Sequence, residues 1–217
     1  MAPSLNAEES LQILDSSVHA WNKGKGVWPQ KKLQERCDIV GSFAEDMRSI
    51  REPVVKSLMF EIGKNRADAE KEFDRTVEYI EKTIEAARQM KPIYKDRPGD
   101  LHSMSDRMPL GVTLCVSPFN YPLNETFTTF IPALVMGNAT ILKPAKYGVL
   151  FWQYFLPLFQ KHFPAGVVNT VYGDGETVIT PLMRSGKVDV LAFIGSGSVG
   201  RIISGQHPNP DLLRQIK

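Results

Sequence analysis

The two halves of the chain carry their apolar residues on different periods. From Ala7 to Trp21, Leu11, Leu14, Val18 and Trp21 recur at three- and four-residue intervals, the spacing of one helix face. A second stripe, Leu33, Cys37, Val40 and Phe43 or Ala44, predicts a helix that opens at Trp28-Pro29, where the missing proline N–H costs nothing. Val54 to Ile62 predicts a third helix, ended by Gly63, which takes the left-handed cap freely. The longest runs from Ala67 to about Met90, with Phe73, Val77, Ile80, Ile84 and Ala87 on one face and charges elsewhere. Residues 91–110 then break the period. Pro98-Gly99 is a turn signal between short arms of mixed polarity, so a β-hairpin arm is expected over 91–108, suited to a subunit contact, with a solvated loop as the alternative.

From Pro109 onward strands and helices alternate. Residues 111–117 (GVTLCVS) form a continuous apolar run, as in a parallel strand covered on both faces. Residues 123–136 read as helix, 140–142 as strand, 149–162 as helix, 167–172 as strand, 177–185 as helix and 188–194 as strand, with a further helix opening at Ser198. Repeated βα units with short turns imply an α/β fold, an open parallel Rossmann-like sheet preceded by N-terminal helices and carrying a β-hairpin arm. The expected organisation is N-terminal helices over 1–90, the arm over 91–108, and ligand-binding βα units over 109–217. Ligands bind at the carboxyl ends of such strands, which directs attention to the turns at 118–122, 143–148, 173–176 and 195–200.

Composition narrows the partners. Twenty-six Lys and Arg against 24 Asp and Glu leave a net charge of +2, too small to argue for nucleic acid or a membrane surface. Two cysteines exclude a disulfide framework, and four histidines at no ligating spacing suggest no metal. The N-terminus has neither a secretory nor a transit pattern, and the stretch from Val149 to Phe159 is far short of the roughly 20 residues that span a bilayer. A cytoplasmic globular chain is expected.

Each turn has a functional and a plain reading. Gly195-Ser196-Gly197-Ser198-Val199-Gly200 spells G-x-G-x-x-G between a strand and a helix, where backbone N–H groups can approach phosphate; the plain reading is tight packing. Lys143 and Lys146 stand at a strand's carboxyl end, where they favour an anionic ligand; alternatively they snorkel into solvent. In Ser117-Pro118-Phe119-Asn120-Tyr121-Pro122 two prolines fix the backbone around Asn120, whose amide either stabilises an oxyanion or caps the next helix. Cys115 inside its strand and Cys37 on a helix stripe read as small hydrophobes, not nucleophiles.

In order, S-P-F-N-Y-P-L-N, I-P-A-L-V-M-G-N-A-T-I-L-K-P-A, F-P-A-G-V-V-N-T-V-Y-G-D-G and F-I-G-S-G-S-V-G-R resemble the aldehyde dehydrogenase superfamily, from about the F-E-I-G-K at Phe60 through Arg201. The F-N-Y-P wording is most similar to the NADP-dependent, non-phosphorylating glyceraldehyde-3-phosphate dehydrogenases. That family oxidises an aldehyde through a cysteine thiohemiacetal, passes hydride to NAD(P) and hydrolyses the thioester. The resemblance implies that Asn120 helps hold the oxyanion. It also implies that Ser117, Pro118 and Phe119 lie against the cofactor, that Lys143 bonds the adenosine ribose, with Ala145 in the same turn, and that Gly175 lies near the adenine. Gly195 and Ser196 would meet the pyrophosphate, with Val199 above it. Lys146 stands where NAD-preferring members carry a glutamate that would repel a 2′-phosphate. NADP preference is therefore expected, with NAD possible.

The family's general-base glutamate and nucleophilic cysteine fall later than Lys217, and neither Cys37 nor Cys115 matches the nucleophile. The chain is thus expected to be the cofactor-binding portion of an NAD(P)-dependent aldehyde dehydrogenase, a fragment inactive alone. It would stop at the threshold of the sheet's next strand, and its exposed edge and apolar faces favour self-association. The complete enzyme would act on a small, perhaps phosphorylated aldehyde, near Tyr121, as a homo-oligomer joined through the arm. The rivals are a non-catalytic nucleotide-binding module and an acyl-phosphate or acyl-coenzyme A reductase.

Overall fold

A computed structural model describes residues 4–97 and 101–216. Helix α1 (Ala7–Trp21) starts at Asn6, whose side chain accepts from Glu9 N at 2.9 Å while Glu9 accepts from Asn6 N at 2.8 Å. The single helix expected from Trp28 onward is two: α2 (Val27–Gln30) and α3 (Leu33–Arg48), with Lys31 and Lys32 extended between them. The cause is Arg36. Its buried guanidinium donates to the carbonyls of Pro29 and Lys31, which would otherwise need helical partners, and to Val135 O at 2.8 Å. Helix α4 (Arg51–Ile62) starts before the expected Val54 and ends at Gly63, which takes φ +76° as the cap requires. Helix α5 (Arg66–Arg88) is capped by Asn65.

The hairpin arm is present. Strand β1 (Ile93–Arg97) pairs antiparallel with β2 (Leu101–Ser105), Tyr94 opposite Met104; the Pro98-Gly99 turn lies outside the described residues. Alternation then runs β3 (Val112–Val116), α6 (Asn124–Val135), β4 (Ala139–Lys143), α7 (Trp152–His162), β5 (Val168–Thr170), α8 (Gly175–Arg184), β6 (Val190–Phe193), α9 (Gly197–Gly205) and β7 (Arg214–Ile216). The sheet is parallel in the order β5-β4-β3-β6-β7. Strand β7 corrects the expectation that the chain stops short of the next strand. Arg214 N donates to Asp189 O at 3.0 Å, and Leu213 is buried beside it, so pairing with β6 has begun.

Strands β3 and β4 are buried at every position because both faces are covered. Cys115, Leu142 and Ala192 face one core, formed with α2 to α7. Val112, Leu114, Val116, Ile141, Leu191 and Phe193 face the other, formed with α1, α8 and α9. The helices before the arm therefore divide: α1 joins the α8 side, while α2 to α5 pile onto α6 and α7. Phe43, Phe127, Trp152, Phe155 and Phe159 stack and tilt against one another there, with centroids 5.4 to 6.5 Å apart.

Candidate functional site

Parallel strands put their carboxyl ends on one edge, and register fixes the order of the turns along it. Val116 stands opposite Lys143 on one side and Phe193 on the other. Ser117 N donates to Lys143 O at 3.1 Å, and Ile194 N to Val116 O at 3.2 Å. The turns after β3, β4 and β6 thus leave the sheet side by side, with the turn after β5 next to that of β4. Connections run both ways from β3, the arrangement in which a crevice opens at the carboxyl edge.

In the first turn Ser117 is buried, its Oγ 2.6 Å from Thr126 Oγ1, and Pro118 is half-buried. Phe119, Asn120 and Tyr121 are exposed. The capping alternative for Asn120 is wrong. The N–H groups at the start of α6, from the capping residue Leu123 and from Asn124, donate to Glu72 Oε1 at 3.0 and 3.2 Å, and no side chain of the preceding turn caps the helix. The Asn120 amide has no hydrogen-bond partner among the described residues.

In the second turn Lys143 is 7% exposed, which removes the snorkelling alternative for it. Its Nζ donates to Pro144 O at 2.9 Å, and burial lowers its pKa, opposed only by the charge of Asp174. Ala145 is half-buried. Lys146 is exposed, its Nζ 5.7 Å from the Tyr147 ring centre, with no carboxylate partner among the described residues. In the third turn Gly173 takes φ +138°, Asp174 Oδ1 accepts from Glu176 N at 2.9 Å, and Gly175 is the first residue of α8.

The fourth turn splits the two readings of its glycines. A Cβ on Gly195 would lie 2.6 Å from Phe193 Cζ, which forces the ring to shift, and one on Gly200 would lie 3.1 Å from Phe193 Cδ1, a tight contact, so packing bears on both. Gly197 meets only Arg201 Nη1, at 3.6 Å, and has no such demand. Ser196 caps α9, its Oγ accepting from Val199 N at 3.4 Å, and residues 195–199 stay exposed at that helix's N-terminus.

Two concavities open along this edge. One of about 350 Å³ is lined by Ser4, Lys143, Ala145, Lys146, Tyr172 and Gly175 among others. The other, about 420 Å³, lies between α8 and α9 over Ile179, Phe193, Val199 and Ile202. Gly175 borders both, so the two adjoin at that residue, a basic end beside an apolar slot. The predicted residues of all four turns thus share one edge. Cys115 lies under that edge on the opposite face of β3, where burial pushes its thiol up to about 12, and Cys37 is buried in the helical layer with a raised pKa. Among the described residues no group of His, Cys, Asp or Glu is placed to hold a metal, and no helix is long and apolar enough to cross a membrane.

Sequence reasoning missed Ser4 and Tyr172, which line the basic end, and three charged residues behind the turns. Glu72 receives the α6 N–H groups and pairs with Lys64, whose Nζ is 3.7 Å above the Tyr121 ring centre. Glu61 accepts from Val149 N and Leu150 N at 2.8 to 2.9 Å, closing the second turn. Only the F-E-I-G-K wording touched this region, and it carries no sign of what Glu61 or Lys64 contacts.

The chain is similar to known proteins over nearly its whole length. The family model for the aldehyde dehydrogenase family matches residues 5–214. The chain is 29% identical over 206 residues to the NADP-dependent glyceraldehyde-3-phosphate dehydrogenase of Triticum aestivum, covering 91% of this chain and 40% of that protein. It is 29% identical over 196 residues to the alpha-ketoglutaric semialdehyde dehydrogenase of Bacillus subtilis, with 89% and 40% covered. Among solved structures, the NADP-dependent glyceraldehyde-3-phosphate dehydrogenase of Bacillus halodurans, complexed with NADP, superposes with a TM-score of 0.89 at 26% identity, over 98% of this chain and 45% of that one. The chain spans about 40% of the length of the curated relatives it matches. With its parallel sheet, its four ligand-edge turns and a match over nearly its whole length, the chain belongs to the aldehyde dehydrogenase family.

Proposed function

We propose that this chain is the cofactor-binding portion of an NADP-linked aldehyde dehydrogenase that oxidises a small, perhaps phosphorylated aldehyde to its acid. The observation that carries the reading is a pair of concavities that adjoin at Gly175, one lined by Lys143 and Lys146 and the other by Val199, with the unpartnered Asn120 amide on the same edge. Its donor set suits a dinucleotide. The buried Lys143 ammonium faces the ribose, Lys146 with Ala145 the 2′-phosphate, and the α8–α9 slot beside Gly175 and Val199 takes the flat adenine. Gly195 and Ser196 offer the α9 N-terminus to the pyrophosphate, and Ser117, Pro118 and Phe119 back the cofactor toward the reacting end. NADP, when bound, supplies the hydride acceptor. Asn120 would then donate its N–H₂ to the oxygen that becomes negative. Tyr121 stands beside it toward the substrate's far end.

Lys146 sets cofactor choice, because an ammonium attracts a 2′-phosphate that a carboxylate would repel. NADPH is expected to bind more tightly than NADH in a fluorescence titration, and Lys146→Glu to reverse the order; equal affinities overturn the assignment. The relatives named above as NADP-dependent support this choice. The arm's exposed Ile93, Met104 and Met108 support a homo-oligomer built through it, and a cytoplasmic setting goes with the reading. Neither thiol of the chain is poised as a nucleophile, so the 217-residue chain is expected to produce no NADPH from any aldehyde. Aldehyde-dependent absorbance growth at 340 nm with pure chain, about the NADPH maximum, contradicts that expectation.

A further inference from the structure

We propose that Glu72 and Glu61 are positioning residues, each setting one turn of the ligand edge from the helical layer behind it. The proposal rests on the dinucleotide reading for what the turns do, but not for how they are held. Glu72 has a fully buried side chain, and Lys64, 11% exposed, is its ion-pair partner. Its Oε1 receives the N–H groups of Leu123 and Asn124, and Asn124 Nδ2 donates to Thr76 Oγ1 at 3.4 Å on the same helix. Leu123 is fully buried, so water is no substitute for the carboxylate. Lys64, held by Glu72, also sits over the Tyr121 ring. The residues on both sides of Pro122 are therefore tied to α5, and Asn120 hangs on the fixed segment. Glu61 does the same for the turn after β4: both its oxygens receive the N–H of Val149, three residues past Lys146, and Oε2 also receives Leu150 N.

A buried ion pair contributes little net stability, because desolvating two charges offsets their attraction. Glu72 from its ion pair and the half-buried Glu61, each serving backbone N–H groups of one turn, instead specify where those turns lie. Glu72 thus governs the oxyanion donor and Glu61 the basic end of the edge, and the two effects separate.

The test uses the intact chain, with Glu72→Ala, Glu72→Gln, Glu61→Ala, Glu61→Gln and Lys64→Met, and reads residue-resolved amide exchange together with NADPH affinity. Glu72→Ala is expected to speed exchange at Leu123 and Asn124 about tenfold, the effect of losing a helix cap, and to broaden the Asn120 side-chain amide signal, with a smaller loss of NADPH affinity than Glu61→Ala gives. Glu61→Ala is expected to speed exchange at Val149 and Leu150 and to weaken NADPH by a similar factor, about tenfold, leaving Asn120 as it was. Each Gln variant keeps an acceptor and restores most of the protection. Should Glu72→Ala fail to fold, Lys64→Met decides for that turn, loosening residues 119–121 and leaving 149–150 protected; should Glu61→Ala fail to fold, Glu61→Gln decides for the other by speeding exchange at 149–150 alone. Exchange that spreads uniformly, or the same NADPH loss from both glutamates, overturns the proposal. Wild-type chain that binds no NADPH overturns the nucleotide reading instead, and the exchange pattern still decides this one.

Discussion

Cys115 shows how far one position can be read from its neighbours. Flanked by Leu114 and Val116 inside a strand, it was expected to be a small hydrophobe, and burial does hold its thiol protonated up to about 12. The unfolded chain releases that proton at the ordinary value of 9.0, so between 9.0 and about 12 the native state binds one proton more than the unfolded state. Stability is therefore expected to fall as pH rises through that window, and Cys115→Ala to flatten the slope in urea titrations. Iodoacetamide should leave the native thiol untouched and label it on unfolding. Lys143 was legible for a similar reason: one residue at one strand end, with its environment fixed by the strand. Glu61 and Glu72 were not, because what they bind is backbone at a sequence separation of 88 and 51 residues, and backbone N–H groups have no signature in the residue types. For the same reason the glycine spelling of the last turn mixed two causes that only the Phe193 ring separates.

At the level of elements, the strands were legible because burial on both faces leaves an unbroken apolar run, and the arm because Pro98-Gly99 interrupts a helical period. The split between α2 and α3 was hidden. It depends on a guanidinium that reaches Val135 O, 99 residues away, and on the carbonyls of Pro29 and Lys31. Arg36→Met keeps the apolar stem and removes every donor, leaving the buried Val135 carbonyl unpaired; a loss of about 1 to 3 kcal/mol is expected in chemical denaturation. Arg36→Lys recovers little of it, since a single ammonium cannot span the carbonyls that the planar fork reaches. Equal stability of both variants with wild type would show that the break between the helices has another cause.

At the level of the molecule, each face of the sheet is covered over β3 and β4, but cover thins toward β7. A mostly apolar groove of about 230 Å³ runs from Met108 and Leu110 past Pro132 and Met136 to Val190 and Ile216. Leu110 and Ile216 are 54% exposed and Met108 78%. Strand β7 also leaves one ladder edge open, so the isolated chain is expected to self-associate, with light-scattering mass rising with concentration and Ile216→Glu lowering it. A strictly monomeric chain at all concentrations contradicts this. The overall architecture was legible from alternation alone. The division of the leading helices between the two faces was not, because α1 carries the same stripe whichever side it packs on.

The position of β3 has a consequence for how the protein is made. It is the first strand of the sheet to leave the ribosome and the one that ends in the middle, flanked by β4 almost at once but by β6 only after α8 has crossed back over the nascent half. Until residues 190–193 arrive, the inner flank of β3 keeps its amides and carbonyls bare, and the cleft above it has a single wall. The apolar slot between α8 and α9 is therefore born with the completed sheet, and a ribosome stalled before β6 would hold a half-sheet that carries Lys143, Lys146 and Gly175 without that slot.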